Sequence, residues 1–577
     1  MTFNQLRKNL KKDFEGKKAV RFALVADSAT QLLAQAIRGY GYDVGLNISV
    51  YQGEYDQMDL EILNPASSLY TDPRDAIWIF HAAHVRWLKY LKCSPAEQGT
   101  FATDMLEQLE NYLQVISSRS QAQVLANTLG CLPDAIFGNY GAKVSHSWTY
   151  QIRKYNLGLM DLAQKYPNLW VVDLAAQQGQ YGQEQVFDST TYVRTSIAMS
   201  LDFLPIVARE VVGIIRGFQG KFRKCLILDL DNTCWGGIIG DDGMEGIQVG
   251  QLGIGKAFTE LQLWAKNLKE RGVILAICSK NTDHIAREPF EKHLDMVLRL
   301  EDISIFVANW QNKADNIRYI QQVLNIGFDS MVFVDDNPFE RNLVREQLPE
   351  VVVPEMPEDP ALYTSYLRQC NLFETVSYSN EDHKRTEKYQ QEAKRVTLKQ
   401  QFGSIEDYLK SLEMQGEFLP FDGFHVPRIA QLTQRSNQFN LRTQRYTEED
   451  IRAIMTDPNR QGFYIKLADK FGDYGLISVL ILEREGNSWF IDTWIMSCRV
   501  LKRDVEKFVL EQVVEWAKST GAEQLIGEYL PTPKNGLVKE HYANLGFSQN
   551  SDSKWTMATG DFKSGVHYIK AENILVI

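Results

Sequence analysis

The sequence predicts an α/β protein built from three domains, and three observations support this prediction. At 577 residues, the chain is several times longer than a typical domain. Short apolar runs alternate with amphipathic helical stretches through its first two thirds, which is the pattern of parallel sheets. A polar, charge-rich segment then precedes a last region in which strand-like runs predominate, as in an α+β fold.

The first domain is predicted to span residues 1–215. Apolar runs at 21–28, 76–80, 135–139 and 169–174 predict strands, and helical stretches lie between them. Because strands and helices alternate here, we expect a parallel sheet with helices packed against it.

The second domain is predicted to span residues 216–372, and its elements also alternate. They are a strand at 225–230, a helix at 256–272, a strand at 272–281, a helix at 313–327, a strand from residue 330 and a further strand at 351–357. The pattern therefore predicts a second parallel sheet, of the Rossmann-like kind.

A polar helical connector is predicted at 373–402, followed by a third domain at 403–577. This last domain has strand-like runs at 463–469, 475–484, 489–497 and 523–530 and an amphipathic helix at 502–521.

Composition excludes several classes of function. The net charge of −11 argues against non-specific binding of nucleic acid, which requires a basic surface. Seven cysteines without a CxxC spacing indicate neither a disulfide framework nor a zinc site. The N-terminus is too charged for a signal peptide, and no apolar run reaches the about 18 residues of a membrane helix. We expect a cytoplasmic protein with no nucleic-acid or membrane partner.

Two aspartates mark the end of the first strand in the second domain. Asp229 and Asp231 are one residue apart, at the carboxyl end of the strand, where open α/β sheets bind their ligands. Such carboxylates repel each other unless a cation lies between them or one is protonated. The arrangement favours a Mg²⁺ site in which one aspartate attacks a phosphoryl group and the other transfers protons.

Further polar groups follow the later strands of this domain. Ser279 and Asn281 end the second strand, Lys313 precedes a helix, and Asp335 and Asp336 end another strand. A hydroxyl and an ammonium group can hold phosphoryl oxygens and neutralise their charge. Additional carboxylates can hold Mg²⁺.

A structural interpretation of these residues must be weighed against the chemical one. Aspartates at strand ends often cap the next helix, and a lone pair of aspartates is common. Four such positions in chain order, each after its own predicted strand, favour chemistry. A scaffold that has kept the fold without catalysis remains an alternative, as does a plain phosphomonoesterase.

These residues resemble the four motifs of the haloacid-dehalogenase (HAD) phosphohydrolases. The first motif is DxDxT, the second a strand-terminal Ser or Thr, the third a lysine before a helix and the fourth an acidic pair. Because few residues separate the motifs, the resemblance implies a minimal cap. The implied roles are nucleophile for Asp229, acid/base for Asp231, phosphoryl contacts for Ser279 and Lys313, and Mg²⁺ ligation by Asp229, the Asp231 main-chain carbonyl, and Asp335 or Asp336.

Longer strings are similar to the more specific FkbH-like family. They are LDLDNTCWGGIIGDDG, CSKN, NWQNK and VFVDDNPFER. The resemblance implies an SGNH-hydrolase-like (flavodoxin-like) first domain, a HAD domain and an acetyltransferase-like (GNAT) third domain. It also implies substrate contacts for Asn232, Thr233, Lys280 and Asn281.

Members of this family are understood to dephosphorylate 1,3-bisphosphoglycerate and to pass its glyceryl unit, through a cysteine thioester, to an acyl carrier protein for polyketide biosynthesis. The expected partners are therefore a phosphorylated three-carbon metabolite and a carrier protein. Cys498, beside Arg499 at a predicted strand end, is the first candidate for the thioester because a nearby cation lowers the pKa of a thiol. Cys234 is a weaker candidate, and Cys278 is expected to point away from the site because its neighbour Ser279 points in.

The outer domains depart from the patterns that they resemble. Ser28 lies in the nucleophile position of an SGNH hydrolase and Asn139 could match its oxyanion asparagine, but the block around Asp188 lacks the histidine base. We therefore expect a docking or lid module, with Ser28 capping a helix. In the third domain, Lys502 and Asp504 replace the glycines that would bind a CoA pyrophosphate, so acetyl-CoA turnover is not expected.

Overall fold

The computed structural model describes residues 1–133, 135–376, 389–391, 395, 398, 402–436, 439–550 and 553–574, without the side chains of 435, 498, 573 and 574. Most of the predicted connector at 373–402 lies outside these residues. The chain divides into two compact units, Met1–Arg216 and Gly217–Ile577. Across the described residues, no helix is both long and apolar enough to cross a bilayer.

The first unit contains a parallel sheet in the order β2-β1-β3-β4-β5. Its strands are β1 (Lys18–Ala26), β2 (Leu46–Gln52), β3 (Ala76–Phe80), β4 (Gln123–Asn127) and β5 (Leu169–Val172). Its helices are α1 (Phe3–Asn9), α2 (Gln31–Asp43), α3 (Met58–Leu63), α4 (Ser68–Thr71), α5 (Ala83–Leu91), α6 (Pro95–Arg119), α7 (Trp148–Lys165), α8 (Leu174–Tyr181), α9 (Gln183–Val186) and α10 (Ser189–Thr195); α11 (Leu204–Phe218) crosses the boundary between the units.

Two expectations for the first unit are wrong. Residues 135–139 form no strand, because Ala135 and Gly138 take positive φ angles and a 3₁₀ helix, Gly138–Lys143, follows. Asn139 is exposed in that turn. Ser28 does not cap α2, whose N-cap is Thr30.

The second unit opens with a four-stranded parallel sheet in the order β8-β7-β6-β9. Alternate residues of its strands enter apolar clusters on the two faces of the sheet, as buried parallel strands require. The strands are β6 (Cys225–Leu228), β7 (Ile274–Ser279), β8 (Ile305–Ala308) and β9 (Met331–Val334); the helices are α12 (Ile239–Gly246), α13 (Gly255–Glu270), α14 (Asp283–Lys292), α15 (Lys313–Leu324), α16 (Pro338–Gln347) and α17 (Tyr363–Cys370).

The predicted strand at 351–357 reduces to one isolated bridge between Val332 and Val352. Two prolines in this stretch, Pro354 and Pro357, lack the N–H groups that a longer ladder needs. Neighbouring strands β6, β7 and β9 nevertheless confirm the parallel pairing that the sequence predicts.

The remainder of this unit forms a mixed sheet in the order β15-β16-β14-β13-β12-β11-β10-β17. Its strands are β10 (Met414–Pro420), β11 (Arg460–Asp469), β12 (Gly472–Glu485), β13 (Ser488–Met496), β14 (Gln524–Glu528), β15 (Ser548–Gln549), β16 (Lys554–Ala558) and β17 (Ile569–Ile574); the helices are α18 (Ile405–Ser411), α19 (Val426–Arg435), α20 (Glu448–Thr456), α21 (Val505–Ser519) and α22 (His541–Asn544).

The turn before α21 keeps a backbone that favours glycine although the glycines are absent. Lys502 has a φ of 64° and Asp504 a φ of 59°, both in the left-handed region. An L side chain is strained there, and the Asp504 carboxylate lies at the start of the helix, where it would repel a phosphate.

Candidate active site

The carboxyl edge of the four-stranded sheet collects the residues that the sequence singled out. Asp229 follows β6, Ser279 ends β7, and Asp335 follows β9. Lys313 is the first residue of α15, immediately after the loop that leaves β8. Because the four strands are parallel, their carboxyl ends lie at one edge and bring these groups together.

A buried lysine joins two of the carboxylates. Lys313 Nζ lies 3.0 Å from Asp229 Oδ1 and 2.5 Å from Asp335 Oδ2. All three residues are buried. Burial alone would lower the pKa of Lys313, but attraction by Asp229 and Asp335 outweighs it and raises that pKa. The lysine therefore stays charged.

Three carboxylates form a cluster that fits a divalent cation. One oxygen each from Asp229, Asp335 and Asp336 lies within 4.8 Å of the others. Burial, reinforced by the charge of Asp229, raises the pKa of Asp335 to about 7 and that of Asp336 to about 6. Asp229 Oδ1 accepts no hydrogen bond, although Lys313 Nζ is close. Oxygen ligands of this kind suit Mg²⁺, whose charge would let the cluster ionise together.

Three donors hold the carboxylate of Asp231. Its Oδ1 accepts hydrogen bonds from Trp235 Nε1 at 2.9 Å and from the Ile239 N–H at 3.0 Å. Its Oδ2 accepts one from Asn281 Nδ2 at 2.7 Å. Burial raises the pKa of Asp231, and these hydrogen bonds partly oppose the shift. The carboxylate lies outside the metal cluster, so any ligand from this residue would be its main-chain carbonyl.

Two of the predicted substrate contacts instead shape the loop after β6. Thr233 is fully buried, and its Oγ1 accepts a hydrogen bond from the Asp336 N–H at 3.1 Å. Asn232 has a φ of 52°, and its Oδ1 accepts the Gly237 N–H at 3.0 Å. Thr233 therefore ties the first motif to the fourth, and Asn232 turns the loop.

Lys280 is the charged residue among the predicted substrate contacts. Its Nζ lies 2.5 Å from Glu340 Oε1, and its side chain is 36% exposed. Glu340 is buried in the first turn of α16, and its Oε2 accepts no hydrogen bond. The ammonium group of Lys280 is thus held at the rim of the site next to Ser279.

Comparison with known proteins supports a common origin for this arrangement. The family model described as FkbH, N-terminal domain, matches residues 21–216. The N-terminal part of the protein BF1531 from Bacteroides fragilis, containing a phosphatase domain and complexed with Mg, is 49% identical. That match covers 65% of this chain and 100% of the other, with a TM-score of 0.64. The chain belongs to the FkbH-like family. No curated protein matches it.

Solved structures similar to a smaller part of the chain include acetyltransferases. The ribosomal-protein-S18-alanine N-acetyltransferase from Escherichia coli is 11% identical over 26% of this chain and 99% of its own, with a TM-score of 0.21. Spermidine N-acetyltransferase from Vibrio cholerae, in complex with CoA and spermine, is 10% identical over 25% and 96%, also with a TM-score of 0.21. With a TM-score of 0.21, these structures support no conclusion about the FkbH-like chain.

Two cysteines near the carboxylate cluster donate hydrogen bonds to backbone carbonyl oxygens of the site. Cys234 Sγ donates to the Asp229 carbonyl oxygen at 3.1 Å, and Cys278 Sγ donates to the Lys313 carbonyl oxygen at 3.7 Å. Both are buried, and burial raises the pKa of each thiol. The backbone of Cys498 lies in a 3₁₀ turn after β13, while its side chain lies outside the described residues.

Sequence reasoning missed two residues that organise this FkbH-like site. From the sequence, Trp235 is expected to be a packing residue. It is fully buried, yet its indole N–H also donates a hydrogen bond that holds Asp231 in place. Arg341 Nη1 donates to the carbonyl oxygens of Asp335 at 3.0 Å and Asp336 at 2.5 Å. The only sequence signal for Arg341 is its place on the first turns of the helix that follows the acidic pair.

Proposed function

We propose that the chain is a Mg²⁺-dependent phosphohydrolase in which Asp229 is the nucleophile. The observation that carries this proposal is the cluster of Asp229, Asp335 and Asp336 around one point, with Lys313 beside it, at the carboxyl edge of the sheet. The Mg-bound phosphatase-domain relative supports the same assignment. Mg²⁺ would supply positive charge at this point and lower the repulsion between the carboxylates.

The chemistry proceeds in two displacements. A carboxylate oxygen of Asp229 forms a bond to phosphorus, the ester P–O bond breaks, and Asp231 donates a proton to the leaving oxygen. Water then attacks the phosphoaspartate, Asp231 takes a proton from that water, and phosphate leaves with Asp229 restored. Trp235 and Asn281 keep Asp231 in place through both steps, and Lys313 balances the charge of Asp229.

The basic test is phosphate release from a phosphomonoester with Mg²⁺ and with EDTA. We expect activity only with the metal, and its return when Mg²⁺ is restored in excess of EDTA. Activity that is equal with and without the metal would contradict the proposal, and no turnover of any phosphomonoester in Mg²⁺ would favour the scaffold alternative.

The raised pKa values predict how Mg²⁺ affects stability at different pH values. In the metal-free protein, Asp335 and Asp336 retain protons that the unfolded chain, with a pKa of 3.8, releases. Their contribution to stability is present below about pH 4 and is lost as pH rises through about 6 to 7. Since Mg²⁺ competes with these protons, its stabilisation should be small at about pH 5 and large at about pH 8. Thermal denaturation with and without Mg²⁺ measures this; a pH-independent shift would contradict it.

We further propose that the substrate is 1,3-bisphosphoglycerate and that an acyl carrier protein receives the glyceryl unit. Family membership supports this, and so does the rim of the site. Ile238, Trp310 and Phe339 follow three different strands of the sheet and are 44%, 74% and 68% exposed. Exposed apolar side chains around an open site suit a protein-bound substrate.

The transfer step uses the acyl phosphate, which is already activated. A cysteine thiolate forms a bond to the carbonyl carbon, the C–O bond to phosphate breaks, and phosphate leaves. The phosphopantetheine thiol of the carrier protein then replaces the cysteine sulfur in the thioester. With Cys234 and Cys278 buried and protonated, Cys498 is the proposed nucleophile.

Intact-protein mass spectrometry tests the thioester. After incubation of Asp229→Asn with 1,3-bisphosphoglycerate, we expect the mass of a phosphoglyceryl group on one cysteine, because the second phosphate is no longer removed. The adduct should disappear with Cys498→Ser and persist with Cys234→Ser as the control. If the wild type released phosphate and no protein adduct formed, the result would favour the alternative that the protein is a plain phosphomonoesterase.

The rim position of Lys280 predicts a role in binding a doubly charged substrate. Lys280→Ala should raise KM for a bisphosphate about tenfold and leave kcat nearly unchanged, because a half-buried ammonium at the rim, paired with Glu340, contributes binding and no bond-making. Lys292→Ala, an exposed lysine at the far end of α14, is the control. A loss confined to kcat would contradict this role.

We also propose a three-domain layout, with a SGNH-like domain at 1–215, a HAD-like domain with a minimal cap at 216–372 and a GNAT-like domain at 403–577. Three separate sheets in these ranges support it. The first sheet also has the strand order of flavodoxin-like folds.

A further inference from the structure

The sheet of the first unit reverses its direction of winding between β1 and β3. In the order β2-β1-β3-β4-β5, the chain passes from β1 to β2 on one side and extends from β3 to β4 and β5 on the other. Open α/β sheets bind ligands in the crevice at the carboxyl ends of such a strand pair. Here those ends carry Asp27 and Ser28 after β1, and His81 and Ala82 after β3.

Two buried polar atoms at this point have no partner. Ser28 and His81 are each 3% exposed. Within the described residues, neither Ser28 Oγ nor His81 Nε2 makes a hydrogen bond. Other buried polar atoms of the described residues also lack a partner, but these two follow adjacent strands at the switch point, where a ligand is expected.

A buried ion pair forms the floor of the crevice. Asp27 Oδ2 lies 2.6 Å from Arg86 Nε, and Asp27 Oδ1 accepts the Ala82 N–H at 2.9 Å. Arg86 thereby compensates part of the charge of Asp27, although burial still raises the pKa of Asp27. Burial, with smaller effects of Arg86 and Lys89, lowers the pKa of His81 well below its usual value. His81 is therefore neutral and can present an N–H at Nε2.

The helices that leave this crevice have no side-chain caps. α2 follows Thr30, whose Oγ1 is bonded to Gln52 Oε1 at 3.0 Å and does not cap the helix. α5 follows Ala82, which has no polar side chain with which to cap it. The start of α2 carries partial positive charge near this edge, whereas the Asp27 carboxylate already accepts the Ala82 N–H at the start of α5.

Neighbouring groups border the crevice. The Ala29 N–H donates to the Ser196 carbonyl oxygen at 3.3 Å, which brings the end of α10 to the start of α2. The ring of His84 lies 4.5 Å from that of Phe187 and 4.4 Å from that of Tyr192. These contacts place the end of α10 and a cluster of aromatic rings beside the starts of α2 and α5.

We propose that this crevice is a second binding site, for a compact oxyanion such as a carboxylate or a phosphate group. The Ser28 hydroxyl and His81 Nε2–H donate to it, and the N-terminus of α2 supplies positive potential. The site binds and does not cleave, because Ser28 Oγ has no hydrogen-bonded base.

Equilibrium dialysis of the full chain in EDTA tests the site, with radiolabelled acetate in one arm and phosphate in the other. We expect one saturable site for at least one anion, and about tenfold weaker binding in both Ser28→Ala and His81→Gln, since each removes one donor to the anion. Ser49→Ala, whose hydroxyl bonds the Val20 carbonyl oxygen on the same sheet, should bind as the wild type does. Binding in the acetate arm would identify a carboxylate ligand, and binding in the phosphate arm would identify a phosphate ligand.

A tungstate-soaked crystal of the wild type gives an answer that does not depend on any variant folding. We expect the ion within hydrogen-bonding distance of Ser28 Oγ and His81 Nε2. No saturable binding of either anion, equal binding by Ser28→Ala, or tungstate found only elsewhere would each overturn the proposal. None of these results bears on the phosphohydrolase site.

Discussion

Replacing Asp229 with asparagine is expected to lower kcat for phosphate release at least about a thousandfold. The amide is isosteric with the carboxylate but cannot attack phosphorus, and it removes one charge from the metal cluster. The fold should persist, because the amide removes a negative charge from the buried carboxylate cluster. Steady-state phosphate release, alongside a thermal denaturation curve, measures both effects.

Asp241→Asn is the matched control for this substitution. Asp241 is exposed in the first turn of α12, only a short distance along the chain from Asp229. We expect its kcat to equal that of the wild type. If Asp229→Asn retained more than a few per cent of the activity, another residue would be the nucleophile.

Replacing Lys313 with methionine is expected to lower both activity and stability. Without the ammonium group, the buried carboxylates of Asp229 and Asp335 lose their compensating charge. Breaking a buried ion pair in this way costs about 3–5 kcal/mol, and loss of the phosphoryl-binding charge should lower kcat about 100-fold. Urea denaturation in EDTA and steady-state kinetics in Mg²⁺ measure the two losses.

A double substitution separates these two effects of Lys313. Lys313→Met combined with Asp335→Asn removes the unpaired charge together with the lysine, so it should be more stable in EDTA than Lys313→Met alone. Its activity should remain as low. Recovery of activity in the double variant, or no difference in stability between the two, would contradict the role assigned to the lysine.

Much of the candidate site could be predicted because strand ends are visible in sequence. Asp229, Ser279 and Asp335 each follow an apolar run, and parallel pairing brings such ends to one edge. Contacts made by side chains from turns carry no comparable signal. The hydrogen bond from Trp235 to Asp231 depends on the path of a loop that no periodicity describes.

The wrong strand predictions have local causes. Residues 135–139 are apolar enough for a strand, but Ala135 and Gly138 take positive φ angles that break an extended backbone. The short strand β4 was not predicted, since its five residues begin with Gln123 and end with Asn127. Burial of that strand between two neighbours overrides its weak local pattern.

The turn before α21 shows the opposite situation, in which sequence and backbone disagree. The sequence lacks the glycines expected before α21, while the backbone at Lys502 and Asp504 keeps the positive φ that glycine would favour. A backbone of this kind therefore forms here without glycine, at the cost of strained side chains at both positions.

Trapping the covalent intermediate tests the central claim most directly. In Asp231→Asn, an aryl phosphate such as p-nitrophenyl phosphate needs no proton on its leaving group, so the phosphoenzyme should form, while its hydrolysis, which needs the base, is slow. Rapid acid quench and peptide mass spectrometry should then place the phosphoryl group on Asp229. A phosphoryl group on any other residue, or none when p-nitrophenol is released in a burst, would contradict this account.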